Sequence, residues 1–209
     1  MTSSIKNVAL AGASGSLGSQ VFEKLTSAGN FVITVLRRNG SKAVFPAGTK
    51  VIDVDYSSVQ DLTSALNGQD AVVSTIGSVE LDSNIPLVDA AFAAGVKRII
   101  PAEFGCNLDN PKVRALPVYK TKVQIRDHIV EKSKTSPTTY TFISTIAFLD
   151  WGLERNFLLD IANHKAVIYG TGDELFSAIT LASIANAVSK TPRFPKTSSS
   201  ALQRRQRQQ

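Results

Sequence analysis

The residues VALAGASGSLGSQVFEKL, at positions 8–25, are the most informative part of this chain about its fold. It joins an apolar run to an amphipathic run through three glycines, Gly12, Gly15 and Gly18. Their spacing, G-x-x-G-x-x-G, differs by one residue from the G-x-G-x-x-G turn that binds dinucleotides between a strand and a helix. A flexible connection without a ligand is the alternative. The elements predicted around the glycines therefore have to show whether this is a dinucleotide-binding turn or a flexible connection.

Apolar segments rich in valine and isoleucine alternate with amphipathic segments along most of the chain. The sequence predicts strands at residues 6–11, 31–36, 51–54, 71–76, 97–101 and 139–144. It predicts helices between them at residues 17–28, 58–67, 85–94 and 118–133. Strands that are apolar on both faces and separated by helices are typical of a parallel sheet covered on both sides. The predicted fold class is α/β, a doubly wound parallel sheet of the Rossmann type.

The pattern is weaker after residue 145. The segment FLDWGLERNFLLDIANH, residues 148–164, predicts a helix, and KAVIYGTG, residues 165–172, predicts a strand and a turn. A last helix is predicted in TLASIANAVSK, residues 180–190. The prolines that follow, Pro192 and Pro195, end regular structure, so no further folded element is predicted.

The positive charge of the chain belongs to its C-terminal end. The 209 residues carry a formal charge of +6, yet five basic and no acidic residues lie beyond residue 192, which leaves 18 basic against 17 acidic residues elsewhere. This polar end predicts a disordered basic tail over residues 192–209. Electrostatic contact with RNA or an acidic partner is the alternative. We expect no specific nucleic-acid partner.

Composition also bears on location and on metals. With 43% hydrophobic residues but no apolar run near 20 residues, we expect a globular protein without a membrane span. The N-terminal MTSSIKN leads directly into the first predicted strand, so no signal peptide is expected. The single cysteine, Cys106, fits a reducing compartment, and the expected location is the cytoplasm. The two histidines, His128 and His164, predict no metal site.

The glycine turn has the properties of a pyrophosphate site. Gly12 suits a tight backbone turn, Gly15 a close approach to phosphate, and Gly18 close packing of helix on strand. The free N–H groups of the first helical turn and the helix dipole favour an anion there, and two serines add hydroxyl donors. The predicted cofactor-binding residues of the turn are Gly12, Ser14, Gly15, Ser16, Leu17 and Gly18.

The end of the second strand predicts which nicotinamide cofactor is used. An Asp or Glu about 20 residues after the turn usually binds the ribose of NAD. Arg37 and Arg38 occupy that place here, and guanidinium groups suit a 2′-phosphate. NADPH is therefore expected in preference to NADH, with two solvated arginines as the alternative. At the end of the fourth strand, Thr75 and Gly77 are predicted beside the adenine ribose.

A lysine interrupts the apolar stripe of the helix predicted in PVYKTKVQIRDHIVEK, residues 117–132. At 100° per residue, Val118, Ile125 and Ile129 share one face, and Lys122 lies at its centre. A lysine there must reach a cleft, find a partner or lose its proton. Snorkelling to solvent is the simpler interpretation. The functional one is an amine that acts near the cofactor.

Standard short-chain dehydrogenases place a lysine four residues after a catalytic tyrosine. Here Val123 stands four residues after Tyr119. The tyrosine mechanism is therefore not supported.

Together these stretches resemble the NmrA-like and isoflavone reductase-like family of atypical short-chain dehydrogenases. The resemblance covers residues 5–190. It is carried by GASGSLG at 12–18, LRR at 36–38, PAEFG at 101–105, KVQIR at 122–126 and TYTFISTIAFLDWGL at 139–153.

The resemblance implies NADPH bound by the glycine turn, with an arginine on the 2′-phosphate. It also implies that Lys122 assists proton transfer, contacting the cofactor, while nicotinamide delivers hydride to an aromatic or enone-like small molecule. Burial and the nearby Arg126 are expected to lower the pKa of Lys122. Phe104, Phe148 and Trp151 are candidates for the substrate pocket, with core packing as the alternative.

Members of this family continue for roughly another hundred residues, so the resemblance implies that the chain is truncated. The expected division is a nucleotide-binding Rossmann domain at residues 1–150, an incomplete small substrate lobe at 151–191 and the tail at 192–209. Two functions follow. One is an NADPH-dependent oxidoreductase. The other is an NADP(H)-sensing regulatory protein that binds cofactor without turnover and acts through a protein partner. A nonfunctional truncation is a third possibility.

Overall fold

The computed structural model describes residues 5–157, 159–168 and 170–191. A six-stranded parallel sheet with the order β3-β2-β1-β4-β5-β6 forms its centre. Its strands are β1 (Asn7–Ala11), β2 (Val32–Arg38), β3 (Lys50–Val54), β4 (Ala71–Ser74), β5 (Arg98–Ile100) and β6 (Thr139–Tyr140). The strand order reverses between β1 and β4, which makes this point the switch point of a doubly wound sheet. The predicted fold class is confirmed.

Helices cover both faces of the sheet because its strands are apolar on both sides. The helices are α1 (Ser16–Ser27), α2 (Val59–Leu66), α3 (Asn84–Ala93), α4 (Pro111–Arg114), α5 (Lys120–Ser133), α6 (Leu149–Glu154) and α7 (Leu181–Lys190). Val8 and Leu10 of β1 pack under α1 and α7, whereas Ala9 and Ala11 pack under α2, α3 and α5. Two layers of buried side chains thus hold the sheet between the helices.

Two short 3₁₀ segments, Ser78–Ser83 and Pro117–Tyr119, were not predicted. The second one changes the predicted helix 118–133, because α5 begins only at Lys120. Val118 therefore lies outside the apolar stripe and is 77% exposed. Pro117 explains the change, since it fixes the backbone at the start of the 3₁₀ turn and the chain enters the helix after it.

The long helix expected at residues 148–164 is wrong. Among the described residues of this stretch only α6 is helical, and it ends in a Schellman motif in which Asn156 takes a left-handed φ of 53°. In that motif the Phe157 N–H donates to the Gly152 carbonyl at 2.8 Å, and the Asn156 N–H donates to the Leu153 carbonyl at 3.2 Å. Asparagine tolerates this conformation better than most residues, so the chain turns where the apolar pattern alone predicts continuation.

Four short strands form two small ribbons in this part of the chain. β7 (Ala147–Phe148) pairs in parallel with β10 (Ala178–Ile179), and β8 (Leu159–Asp160) pairs antiparallel with β9 (Lys165–Ala166). α7 then packs against α1. The predicted tail, residues 192–209, lies outside the described residues. Within the described ranges, none of the helices combines the length and apolar character needed to cross a membrane.

Candidate functional site

Two glycines of the turn between β1 and α1, Gly12 and Gly18, lie where there is no room for a side chain. Gly12 has a φ of 78°, and a Cβ there would lie 2.8 Å from the carbonyl carbon of Thr75. A Cβ on Gly18 would lie 2.0 Å from the Gly12 oxygen. Gly15 caps α1, and its N–H donates to the Gly12 carbonyl at 3.0 Å. The turn therefore brings β1, β4 and α1 into backbone contact at the switch point.

A cleft of about 450 Å³ opens beside this turn, at the carboxyl ends of β1, β2 and β4. The N-terminus of α1 borders it, and no acidic residue lies in the first turn of that helix. Of the predicted cofactor residues, seven line the cleft: Gly12, Ser14, Gly15, Arg37, Arg38, Thr75 and Gly77. Ser16, Leu17, Gly18 and Lys122 are not part of its lining.

The cleft has further lining side chains that were missed from the sequence, among them Phe45, Tyr56 and Glu80. Phe45 comes from the loop after β2, Tyr56 from the loop after β3, and Glu80 from the 3₁₀ segment after β4. The Tyr56 hydroxyl donates to the Leu36 carbonyl at 3.0 Å, and burial raises the pKa of Tyr56. The periodic pattern gives no signal for these residues, because each lies in a loop or irregular segment.

Both arginines at the end of β2 have partners. The Arg37 guanidinium donates from Nε to one oxygen of Asp53 at 2.6 Å and from Nη2 to the other at 2.8 Å, and Nη1 donates to the Ala43 carbonyl at 2.9 Å. Arg38 forms an ion pair with Glu80, and both of these side chains are about half exposed. The Arg38–Glu80 pair joins the second strand to the 3₁₀ segment across the cleft.

Lys122 projects toward the loop that follows β5, residues 101–110. Its Nζ donates to the backbone carbonyl of Glu103 at 2.6 Å. Burial lowers the pKa of Lys122, and the negative charge of Glu103 opposes that effect. The expected contribution of Arg126 to this shift is wrong: the Arg126 guanidinium is paired with Glu103 and with Asp109, so its charge is already neutralised.

A buried ion pair lies one helical turn from Lys122. Nη1 of Arg126 contacts Oε1 of Glu103 at 2.6 Å, with 7% and 3% of their side chains exposed, and Nη2 contacts Asp109. The guanidinium also lies over the Phe142 ring at 4.1 Å. Burial raises the pKa of Glu103 to about 7, although Arg126 favours the ionised form. Glu103 is thus the buried acid nearest to the predicted catalytic amine.

The predicted substrate residues pack into the protein core. Phe104 is buried between the sheet and α7, and Phe148 and Trp151 are half-buried against the same cluster. The Tyr119 hydroxyl donates to the Cys106 sulfur at 2.9 Å, and that bond together with burial raises the pKa of Tyr119 to about 12.

Among the described residues, no group of three or more His, Cys, Asp or Glu side chains could hold a metal ion.

Comparison with solved structures finds other chains with the same fold. AtPrR2, solved with NADP+ and (+)-pinoresinol, superposes with a TM-score of 0.75 over 93% of this chain and 68% of its own, at 22% identity. At that identity the likeness concerns the fold.

Sequence comparison is more specific. Oxidoreductase poxI of Penicillium oxalicum is 36% identical over 183 residues, covering 84% of this chain and 57% of the relative. Oxidoreductase aprR of Aspergillus flavus is 31% identical over 195 residues, covering 92% of this chain and 65% of the relative. The chain thus spans about three fifths of these two relatives. Residues 4–165 match the family model described as NmrA-like. The chain belongs to the NmrA-like family.

Proposed function

We propose that the chain binds NADPH in the cleft beside the glycine turn and acts as an oxidoreductase of the isoflavone reductase-like type. The observation that carries the proposal is the turn itself. Residues 12–15 lie against an α-helix N-terminus at the switch point, and two arginines line the same cleft. The NADP+ bound by AtPrR2, which has the same fold, supports this choice of ligand.

The residues present fit a dinucleotide phosphate. Gly15 has no side chain, and a Cβ there would have only one neighbour within 4 Å, the Gly12 oxygen at 3.4 Å. The cleft beside it is therefore open to a pyrophosphate, which the N–H groups of the turn and the Ser14 hydroxyl would hold. Thr75 and Gly77, at the end of β4, would flank the adenine ribose.

The 2′-phosphate would be held by Arg38 and Arg37 at the end of β2. Arg38 is the more accessible, because its ion pair with Glu80 is about half exposed and such pairs are weak in water. A phosphate can accept two parallel N–H bonds from a guanidinium and thereby compete with Glu80. Arg37 already makes two bonds to Asp53, so it would act mainly by its remaining charge and its position.

The reducing chemistry comes from the cofactor, since bound NADPH supplies a hydride. The part that falls to the chain is to hold or move a proton, and Lys122 has the properties of that group. Its amine is half-buried and fixed on the Glu103 carbonyl, and burial lowers its pKa toward neutral pH. We propose that Lys122 exchanges a proton with an oxygen atom of a small aromatic or enone-like substrate.

The cofactor assignment is tested by calorimetry with NADPH and NADH. We expect Arg38→Ala to weaken NADPH binding about tenfold or more and NADH binding much less, because only NADPH carries the 2′-phosphate. Arg37→Ala should act in the same direction. Arg114→Ala is the matched control, since Arg114 pairs with Asp127 away from the cleft. Equal losses for both cofactors in Arg38→Ala would refute the 2′-phosphate assignment.

The catalytic assignment is tested by oxidation of NADPH over a panel of aromatic enones and quinones. Lys122→Ala should keep NADPH affinity and lose turnover, whereas Lys120→Ala, an exposed lysine two residues earlier, should keep both. Unchanged turnover in Lys122→Ala would exclude the proposed role. NADPH binding by the wild-type chain without oxidation of any panel member would instead favour the cofactor-sensing function.

A further inference from the structure

We propose that Glu103 is the positioning residue for Lys122, because its carboxylate is anchored by Arg126 while its own backbone carbonyl holds the Lys122 amine. The functional meaning of this arrangement rests on the proposed function of Lys122. The arrangement itself can be tested without any turnover.

Two residues of one helix hold one residue of the loop. Lys122 and Arg126 are four residues apart on α5, so their side chains leave the same face one turn apart. Arg126 bonds the Glu103 carboxylate at 2.6 Å, and Lys122 bonds the Glu103 carbonyl at 2.6 Å. The orientation of this residue is therefore fixed at both its side chain and its backbone, and the position of the lysine amine follows from it.

The backbone of the loop also packs against the Lys122 amine. A Cβ on Gly105 would lie 3.3 Å from the Lys122 Nζ, so the backbone passes directly beside the amine. The Gly105 carbonyl in turn accepts N–H bonds from Thr145 at 2.9 Å and from Ile146 at 3.0 Å. The loop is thus held from α5 on one side and from the chain after β6 on the other.

The charges around Glu103 and Lys122 predict the direction in which the pKa of Lys122 changes when the Glu103 charge is removed. From α5, Arg126 and Lys122 face the Glu103 carboxylate, from the loop Asp109 faces it, and from α4 the charge of Arg114 interacts with it. Lys122 itself is influenced by burial, by Glu103 and by Cys106. The Glu103 charge therefore stabilises the protonated amine against the effect of burial. Removal of that charge from the folded protein must lower the pKa of Lys122 further.

The experiment is competitive labelling of the full 209-residue chain with acetic anhydride over a pH series, read for each lysine by peptide mass spectrometry. In Glu103→Gln, which keeps a hydrogen-bond acceptor for Arg126, the pKa of Lys122 should fall by about 1 unit or more. Lys120 is the internal reference. Asp109→Asn is the matched control: it removes the other partner of Arg126, and because Asp109 does not act on Lys122 directly, it should lower the pKa of Lys122 much less than Glu103→Gln does. An unchanged Lys122 titration in folded Glu103→Gln overturns the proposal.

A loss of structure would be recognised by its opposite sign, because an unfolded chain would expose Lys122 to solvent and remove the effect of burial on its pKa. Glu103→Asp then decides. The aspartate keeps the negative charge but its side chain is one methylene shorter. Pairing of its carboxylate with Arg126 therefore draws the backbone carbonyl of residue 103 away from the Lys122 amine. Labelling of Lys122 should then become several-fold faster relative to Lys120, and a wild-type ratio overturns the proposal. Failure of the wild-type chain to oxidise NADPH would count against the proposed function alone and leave the labelling result standing.

Discussion

Two regions of the molecule differ in how their side chains are used. The sheet edge, which we define as residues 11–18, 74–77 and 101–109, is built from backbone contacts and buried polar bonds. The C-terminal segment, residues 147–179, is held by two-residue strands, and its described side chains include exposed apolar groups such as Ile168 and Phe176. The same chain is thus tightly packed where the proposed cofactor binds and loosely packed in the part expected to meet a substrate.

The difference in packing predicts where an amino-acid substitution should lower the stability of the protein. At Gly12 and Gly18 of the sheet edge an added methyl group meets backbone atoms that cannot move independently. At Gly152 of the C-terminal segment the same group meets only the Phe157 side chain, at 3.9 Å. Matched substitutions in the two regions should therefore have unequal effects, and the comparison fails if they do not.

The largest effect is expected from an added methyl group at the turn. Gly18→Ala should lower the free energy of unfolding by about 4 kcal/mol, because its Cβ would lie 2.0 Å from the Gly12 oxygen and 2.7 Å from the Thr75 hydroxyl. Gly152→Ala in α6 is the matched change in the C-terminal segment. Its Cβ would meet only Phe157, at 3.9 Å, so stability should rise slightly or stay within about 0.5 kcal/mol. Urea denaturation measures both, and similar losses would end the comparison.

The second effect is a pH dependence at the sheet edge. Burial raises the pKa of Glu103 from 4.5 to about 7, so the folded state binds this proton more tightly than the unfolded state. Its contribution to stability is complete below pH 4.5 and is lost as the pH rises through about 7. The stability of the wild type relative to Glu103→Gln should therefore fall by roughly 3 kcal/mol over that interval.

The matched carboxylate of the C-terminal segment is Glu174. It is exposed, and backbone N–H bonds, including that of Thr171, lower its pKa. The sign is therefore opposite: its contribution is present above pH 4.5 and is lost as the pH falls. In urea denaturation over a pH series, Glu174→Gln should give the weaker dependence of the two. A dependence of equal size in both variants would show that burial does not distinguish the regions.

The smallest effect is expected when the same substitution, isoleucine to valine, is made once at a buried position and once in the C-terminal segment. Ile100→Val removes a methylene group from a fully buried side chain at the end of β5, directly before residues 101–109 of the sheet edge, and should cost about 1 kcal/mol. Ile168→Val removes it from a side chain that is 70% exposed and should cost less than about 0.3 kcal/mol. Thermal unfolding monitored by circular dichroism would resolve the difference. Equal costs would show that Ile168 is covered in solution.

The fold was predictable from the sequence because its signals are local. The alternation of apolar and amphipathic runs gave the order of the main elements, and the glycines marked the turn between β1 and α1. The helix expected at residues 148–164 was lost because one residue, Asn156, adopts a left-handed conformation that interrupts an otherwise helical pattern. The preference of a single residue for a left-handed conformation is a weak signal in the sequence compared with the helical periodicity of the residues around it.

The candidate site was predictable only in part, because its charges are paired over long sequence distances. Asp53, the partner of Arg37, comes from the neighbouring strand, and Glu80, the partner of Arg38, comes from beyond β4. Glu103 and Arg126 are brought together by the loop after β5. Sequence reasoning identified the residue types in GASGSLG, LRR and PAEFG, but it could not show which charges neutralise one another.

The three-way contact of Gly12, Gly18 and Thr75 has a consequence for protein engineering. The atoms that specify the fold at the switch point are the same atoms that shape the cleft, so the two cannot be varied independently. A library aimed at a new cofactor would lose most of its members to misfolding if it were randomised at the turn. Arg38 and Glu80, on exposed segments of the opposite wall, are the positions where selection for a different nucleotide can proceed without that penalty.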